Sequence, residues 1–259
     1  MKRIFTDMLG REIEVSFPPK RIISVVPSQT ELLYDLGLED EVIAITKFCV
    51  HPESWFRTKE RIGGTKKLNI EKIRSLQPDL IIANKEENEQ AQIEELAREF
   101  PVWISDIQTL PQALQMIQVV GLITGMDQKA NELVEEIVAG FTKLHNAATP
   151  KRVAYFIWYN PWMSVGKDTF ISNMMQTIGW QNVYADTTRY PEITLQDLKE
   201  RNPDLVLLSS EPYPFKEKHV EEIKSVLPNA DVRLVDGEMF SWYGSRMKEA
   251  VAYMETLVK

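Results

Sequence analysis

Apolar residues along the chain fall into two kinds of run, and the two kinds alternate. Short continuous runs with β-branched bias, such as Ile22-Ile23-Ser24-Val25-Val26 and Leu80-Ile81-Ile82-Ala83, predict strands buried on both faces of a parallel sheet. Between them apolar positions recur every three or four residues, which predicts helices around 70–76 and 91–100. The first residues alternate instead, and 4–6 and 13–15 with Leu9-Gly10 between them read as a β-hairpin. Ser28 or Thr30 is expected to cap a helix over Leu32, Leu33 and Leu36 that stops at Gly37. Further strands are predicted over 42–46 and 102–105, so the first half is a set of βαβ crossovers.

The pattern restarts at Arg152-Val153-Ala154-Tyr155-Phe156-Ile157, with a helix over 170–178 ended by Gly179 and strands over 205–208 and 232–235. One stretch recurs in register. Ile70-Glu71-Lys72-Ile73 leads to Pro78-Asp79-Leu80-Ile81-Ile82, and Leu195-Gln196-Asp197-Leu198 leads, at the same spacing, to Pro203-Asp204-Leu205-Val206-Leu207. The halves are therefore read as two similar lobes, 1–108 and 149–259. Residues 109–148 carry helical periodicity without strand signals. Within them Ala130, Leu133, Val134, Ile137, Val138, Phe141 and Leu144 form one apolar stripe on a helix starting near Asp127. About 20 residues at ~1.5 Å each make a rod of roughly 30 Å, stiffer than a Gly/Ser linker. The fold class is α/β, two Rossmann-like lobes with mostly parallel sheets joined by a single long helix.

Composition narrows the function. The 259 residues carry 30 basic and 38 acidic side chains, a formal charge of −8, with no basic cluster. A duplex nucleic-acid binder needs a basic stripe to displace counterions, so nucleic acid is not an expected partner. One cysteine, Cys49, excludes an internal disulfide and a cysteine-rich zinc site. His51, His145 and His219 are far apart in sequence, which argues against an all-histidine cage. Met1-Lys2-Arg3 is followed by Asp7, Gly10, Arg11 and Glu12 rather than an apolar run, so the residues given contain no secretory leader.

Open parallel sheets hold ligands beyond the carboxyl ends of their strands. The first lobe places Pro27, Ser28, Phe48, Cys49, His51, Thr65 and Lys85 there, and the second places Trp158, Tyr159, Trp162, Tyr190, Phe240, Trp242 and Tyr243. Ends this aromatic suit a large, flat or partly apolar ligand. Cys49 and His51 are candidate axial ligands to a bound cobalt or iron. Lys85, Arg189 and Arg246 are the cations available to a ligand carboxylate.

The order of these features resembles the substrate-binding proteins of ABC importers for vitamin B12, haem and ferric siderophores, the class III periplasmic-binding-protein fold with a helical backbone, the vitamin B12 members being nearest in pattern. The resemblance spans nearly the whole chain. It rests on the hairpin with Asp7 and Gly10-Arg11, Arg21-Ile22-Ile23-Ser24 with Pro27-Ser28 and Thr30-Glu31, and Gly63-Gly64. It continues through Asn69-Ile70-Glu71, Pro78-Asp79-Leu80, the linking helix, and Asn160-Pro161 with Gly166-Lys167. It implies non-catalytic binding of a metal chelate in an inter-lobe cleft, no intrinsic cofactor, a monomer, a periplasmic location and delivery to a permease dimer. An acidic residue on each lobe docks the permease in such proteins. Glu71 matches the first, while Gln196 with Asp197 beside it stands at the second. The family's first-lobe stacking aromatic falls at Thr65, the second is retained as Tyr190, and a tyrosine is replaced by Phe48.

Two alternatives compete. A cytosolic binding protein uncoupled from transport fits a chain without a leader, which would be cytoplasmic if Met1 is its native start. A tetrapyrrole chelatase shares the two-lobed architecture and would need His51 with Glu211 or Glu238. Gly166-Lys167-Asp168-Thr169 lacks the leading glycine of a P-loop, and neither a G-x-S-x-G elbow nor an H-E-x-x-H helix occurs.

Overall fold

A computed structural model describes residues 1–147 and 149–258, without the side chains of 145–147; Ala148, the expected end of the linking segment, and Lys259 lie outside the described residues. The chain divides into two compact units. Unit 1 comprises Met1–Ile107, Pro111–Glu136 and Tyr243–Arg246; unit 2 comprises Gln108–Leu110, Ile137–Trp242 and the residues from Met247 onward.

Unit 1 opens with the hairpin β1 (Lys2–Thr6) and β2 (Glu12–Ser16), antiparallel as its alternation requires. Gly10, at φ 78, takes the left-handed conformation of the turn. Next come β3 (Ile22–Ser24), α1 (Pro27–Asp35), β4 (Val42–Ile45), α2 (Glu53–Thr58) and β5 (Glu60–Arg61). A small ladder, β6 (Gly63–Gly64) with β7 (Lys67–Leu68), leads to α3 (Ile70–Leu76), β8 (Leu80–Asn84), α4 (Gln90–Ala97) and β9 (Val102–Ser105). The sheet order is β5-β4-β3-β8-β9, all parallel, with Ile23, Ile81, Ala83 and Val102 in a core closed by Ile73, Ile93 and Leu96 from the helices. The expected cap of α1 is corrected. The helix begins at Pro27, whose fixed φ suits a first helical position, with Val26 as cap. Thr30 lies inside the helix, its hydroxyl bonded back to the Val26 carbonyl at 2.9 Å.

The two helices α5 (Leu110–Thr124) and α6 (Asp127–Ala147) follow, and the division between units falls inside α6, after Glu136. Ala130, Ile137, Phe141 and Leu144 of its apolar stripe are buried, whereas Val138 is exposed.

Unit 2 contains β10 (Arg152–Trp158), β11 (Trp162–Ser164), α7 (Phe170–Thr177), β12 (Gln181–Asn182), β13 (Glu192–Ile193) and α8 (Leu195–Arg201). It finishes with β14 (Leu205–Ser209), α9 (Glu217–Val226), β15 (Asp231–Val235), α10 (Glu238–Ser241) and α11 (Met247–Val258). Its sheet runs β13-β11-β10-β14-β15 with β12 also paired to β10. β10, β12, β14 and β15 are parallel, and β11 runs antiparallel to both of its neighbours, β10 and β13.

Candidate functional site

In each unit the strand order places one crevice where the chain reverses direction across the sheet. In unit 1 the chain runs outward from β3 through β4 to β5 and, on the other side, through β8 to β9, so the reversal lies between β3 and β8. In unit 2 it lies between β10 and β14. Such points collect ligands in open α/β sheets.

At the strand exits of unit 1 the interior is polar. Gln29 donates through Nε2 to Ser105 Oγ, and Asn84 Nδ2 donates to the same hydroxyl at 3.0 Å. Asn88 Nδ2 donates to the carbonyls of Val25 at 3.0 Å and Thr65 at 3.2 Å, which ties the Thr65 loop down. Thr65 is itself buried, as is Ser28, while Pro27 is half-buried. Above this layer Phe48 is 51% exposed with Lys47 Nζ 5.0 Å from its ring centre. A Cβ on Gly64 would stand 2.9 Å from the Phe48 ring, so glycine permits that approach. His51 is half-buried and joined to Pro52 by a cis bond. Lys85 is paired with Asp106 at 2.6 Å, and Arg246 with Glu31 through bonds of 2.9 and 2.6 Å. Burial pushes the Glu31 carboxyl up, while Arg246 pulls it down.

Cys49 does not face solvent. It is fully buried, with its sulfur 3.1 Å from Thr30 Oγ1 and 3.2 Å from Thr46 Oγ1. Burial pushes its thiol up, away from the thiolate that ligates metal, so the expected axial cysteine is corrected to a core thiol. Among the described residues no group of three or more His, Cys, Asp or Glu is arranged to hold a metal ion.

The strand exits of unit 2 are aromatic. Trp158, at the end of β10, is 41% exposed and meets Tyr213 edge-on at 5.8 Å. Tyr159 is half-buried and packs on Trp162 at 5.0 Å and His219 at 4.6 Å. Trp162 is corrected from ligand face to core, because it lies between Phe156 at 5.1 Å and a stacked Phe215 at 5.5 Å. Phe240 is likewise a core ring, fully buried against Tyr155 at 5.1 Å. Trp242 is half-buried and donates through Nε1 to Glu211 Oε1 at 3.1 Å. Tyr190 is half-buried beneath the Arg189 guanidinium, 5.3 Å from its ring centre. Tyr243, in the short segment assigned to unit 1, is buried.

Tyr213 and His219 were not singled out by sequence. Their signal is the alternation Pro212-Tyr213-Pro214-Phe215 just after β14, where proline holds aromatic rings in a turn. The Lys216 amide donates to His219 Nδ1 at 2.9 Å, which leaves the ring proton on Nε2, 3.2 Å from the Tyr213 hydroxyl.

Glu71 and Gln196 each occupy the second position of their helices, α3 and α8. Glu71 is exposed with Arg74 Nη1 2.5 Å from its Oε1; Gln196 donates to Glu200 at 2.8 Å and Asp197 receives Arg201 Nε at 3.2 Å.

Residues 22–230 match the model of a family described as periplasmic binding protein. An uncharacterized ABC transporter substrate-binding lipoprotein, YvrC of Bacillus subtilis (strain 168), is 28% identical over 264 residues, 95% of this chain and 82% of the relative. The periplasmic vitamin B12 binding protein BtuF of Vibrio cholerae shares the fold with a TM-score of 0.80 at 24% identity, over 94% of this chain and 98% of that one. An ABC-type Fe3+-hydroxamate transport system protein of Saccharomonospora viridis DSM 43017 does so with a TM-score of 0.76 at 18% identity, over 99% of each chain.

Proposed function

As the chain belongs to the periplasmic binding protein family, we propose that it binds a metal-bearing small molecule, a corrinoid, haem or ferric siderophore, and hands it on chemically unchanged to an ABC importer. The observation that carries this reading is the exposure of Phe48 and Trp158 at the strand exits of the two units. Rings of this size left in water regain solvation free energy by covering a flat or partly apolar ligand. The named relatives support it: one is a substrate-binding lipoprotein, and the solved structures are a vitamin B12 binding protein and an Fe3+-hydroxamate transport protein. Glu71 on α3 is proposed to meet the permease, with the Gln196-Asp197 pair at the matching place on α8. Ligand contacts are assigned to Phe48, His51, Trp158, Tyr159, Tyr190 and Trp242, whose rings are exposed or half-buried.

Titration of the full chain with cobalamin, dicyanocobinamide, haemin and a ferric hydroxamate, read by tryptophan fluorescence, tests the reading. Saturable quenching by at least one, with Kd below micromolar, is expected. Absence of any response in fluorescence and melting temperature from all four overturns it.

A further inference from the structure

Trp158 and Tyr213 stand on opposite sides of the reversal point of the unit 2 sheet. Trp158 closes β10, and Tyr213 follows β14, its parallel neighbour. The Tyr213 amide donates to the Ile157 carbonyl at 3.3 Å, so the loop after β14 is stitched to the end of β10 beside the tryptophan. The two rings meet at 65° and 5.8 Å. Behind them, Tyr213 contacts Phe215 at 5.0 Å, Tyr159 at 5.7 Å and His219 at 5.5 Å. His219 is buried on the first turn of α9, and its Nδ1 is engaged by the Lys216 amide. The imidazole therefore has one orientation, with Nε2 aimed at the Tyr213 hydroxyl. A tyrosine fixed at its hydroxyl, its backbone and its ring edges loses little freedom when a ligand arrives.

We infer that Trp158 and Tyr213 form an aromatic seat that selects a flat conjugated macrocycle over a chelate without an extended ring face, and that His219 positions Tyr213 for this. The inference rests on the proposed ligand-binding reading and adds the ligand's shape and the residue that sets it. A flat ring can stack offset on the exposed Trp158 while turning its electropositive edge toward Tyr213, the two arrangements that aromatic rings prefer. A hydroxamate chelate wraps its metal octahedrally and offers no such face.

The test uses the full chain with haemin and dicyanocobinamide as flat probes and ferrioxamine B as the non-flat one. The macrocycles are expected to bind at least tenfold tighter than ferrioxamine B. Tyr213→Ala is expected to weaken macrocycle binding at least tenfold and leave ferrioxamine B within about twofold. His219→Gln keeps both Trp158 and Tyr213 but removes the imidazole that holds the hydroxyl, so about a threefold loss of macrocycle affinity is expected, together with a changed near-ultraviolet circular dichroism band from the Trp158–Tyr213 pair. Ferrioxamine B binding as tightly as the macrocycles, or full macrocycle affinity in Tyr213→Ala, overturns the inference and leaves ligand binding itself standing. No binding of any probe overturns both. An unaltered dichroism band together with full macrocycle affinity in His219→Gln removes the positioning role of His219.

Discussion

The two units enter their sheets alike and leave them differently. Ahead of β8 and β14, α3 and α8 are capped by Asn69 and Thr194, whose side chains accept the amides of Lys72 at 3.0 Å and Asp197 at 3.1 Å. Both helices end on a left-handed residue, Gln77 at φ 46 and Asn202 at φ 46, before the Pro-Asp pair. Asp79 then accepts the amides of Lys20 and Arg21 at 2.8 Å each, and Asp204 accepts that of Arg152 at 2.8 Å. The exit sides share none of this. Unit 1 has the buried polar layer of Ser24, Thr30, Thr46, Asn84 and Ser105, and unit 2 has the aromatic cluster around Trp162. The entry side fixes the helix-to-strand register, so one solution serves both units. The exit side meets the ligand, and there each unit is built for a different contact.

The largest expected effect is in the cluster peculiar to unit 2. Trp162→Ala empties a site enclosed by four rings and is expected to cost about 3–5 kcal/mol in urea denaturation, the range for a core aromatic. Cys49→Ala, in the polar layer of unit 1, should cost clearly less; a larger loss there than at Trp162 reverses the ranking of the two exit sides. The shared entry side comes next. Asp79→Ala removes the acceptor of two solvent-exposed backbone amides and Asp204→Ala that of one, so losses of about 0.5–1.5 kcal/mol are expected, greater at Asp79. Equal losses, or unaltered hydrogen exchange at Arg21 and Arg152, would show that the carboxylates do not hold the register.

This likeness of entry sides was legible in the sequence, since local turn chemistry writes it into consecutive residues. Helix, Pro-Asp-Leu turn and apolar strand recur at fixed spacing, and the parallel strands announce themselves as unbroken apolar runs. The antiparallel strands β11 and β13 were not legible, because two or three residues are too short to show a period. The C-terminal helix did carry a pattern, Met247, Ala250, Met254, Leu257 and Val258, that the reading passed over. The exit sides were legible only as a list. Sequence places Cys49, Trp162 and Phe240 after strands but not the neighbours they pack against, which are Thr30 and Thr46 for Cys49, Phe215 and His219 for Trp162, and Tyr155 and Tyr253 for Phe240. Phe48 and Trp158 differ from them by exposure alone.

That difference gives the next prediction. Trp158→Ala should lower ligand affinity by at least ~1 kcal/mol, the scale of one aromatic contact, and should shift the melting temperature far less than Trp162→Ala. The opposite pattern, full affinity with lost stability, would put Trp158 with the core rings.

The smallest effect separates the units by pH. Burial is the main cause holding the His219 imidazole below its ordinary range, with the Lys216 carbonyl 3.2 Å from Nδ1 working the other way. Because the folded value lies below the unfolded one of about 6.5, the unfolded chain takes up the proton first. The contribution is therefore complete above pH ~6.5 and declines as pH falls toward the folded value, below which it changes no further. Protonation would also place a hydrogen on Nδ1 against the Lys216 amide that now donates to it. The His219 ring signals are expected to titrate below the ordinary value, and His219→Gln should flatten the stability profile below pH 6.5. A wild-type slope retained in His219→Gln would assign the loss in this window to other groups.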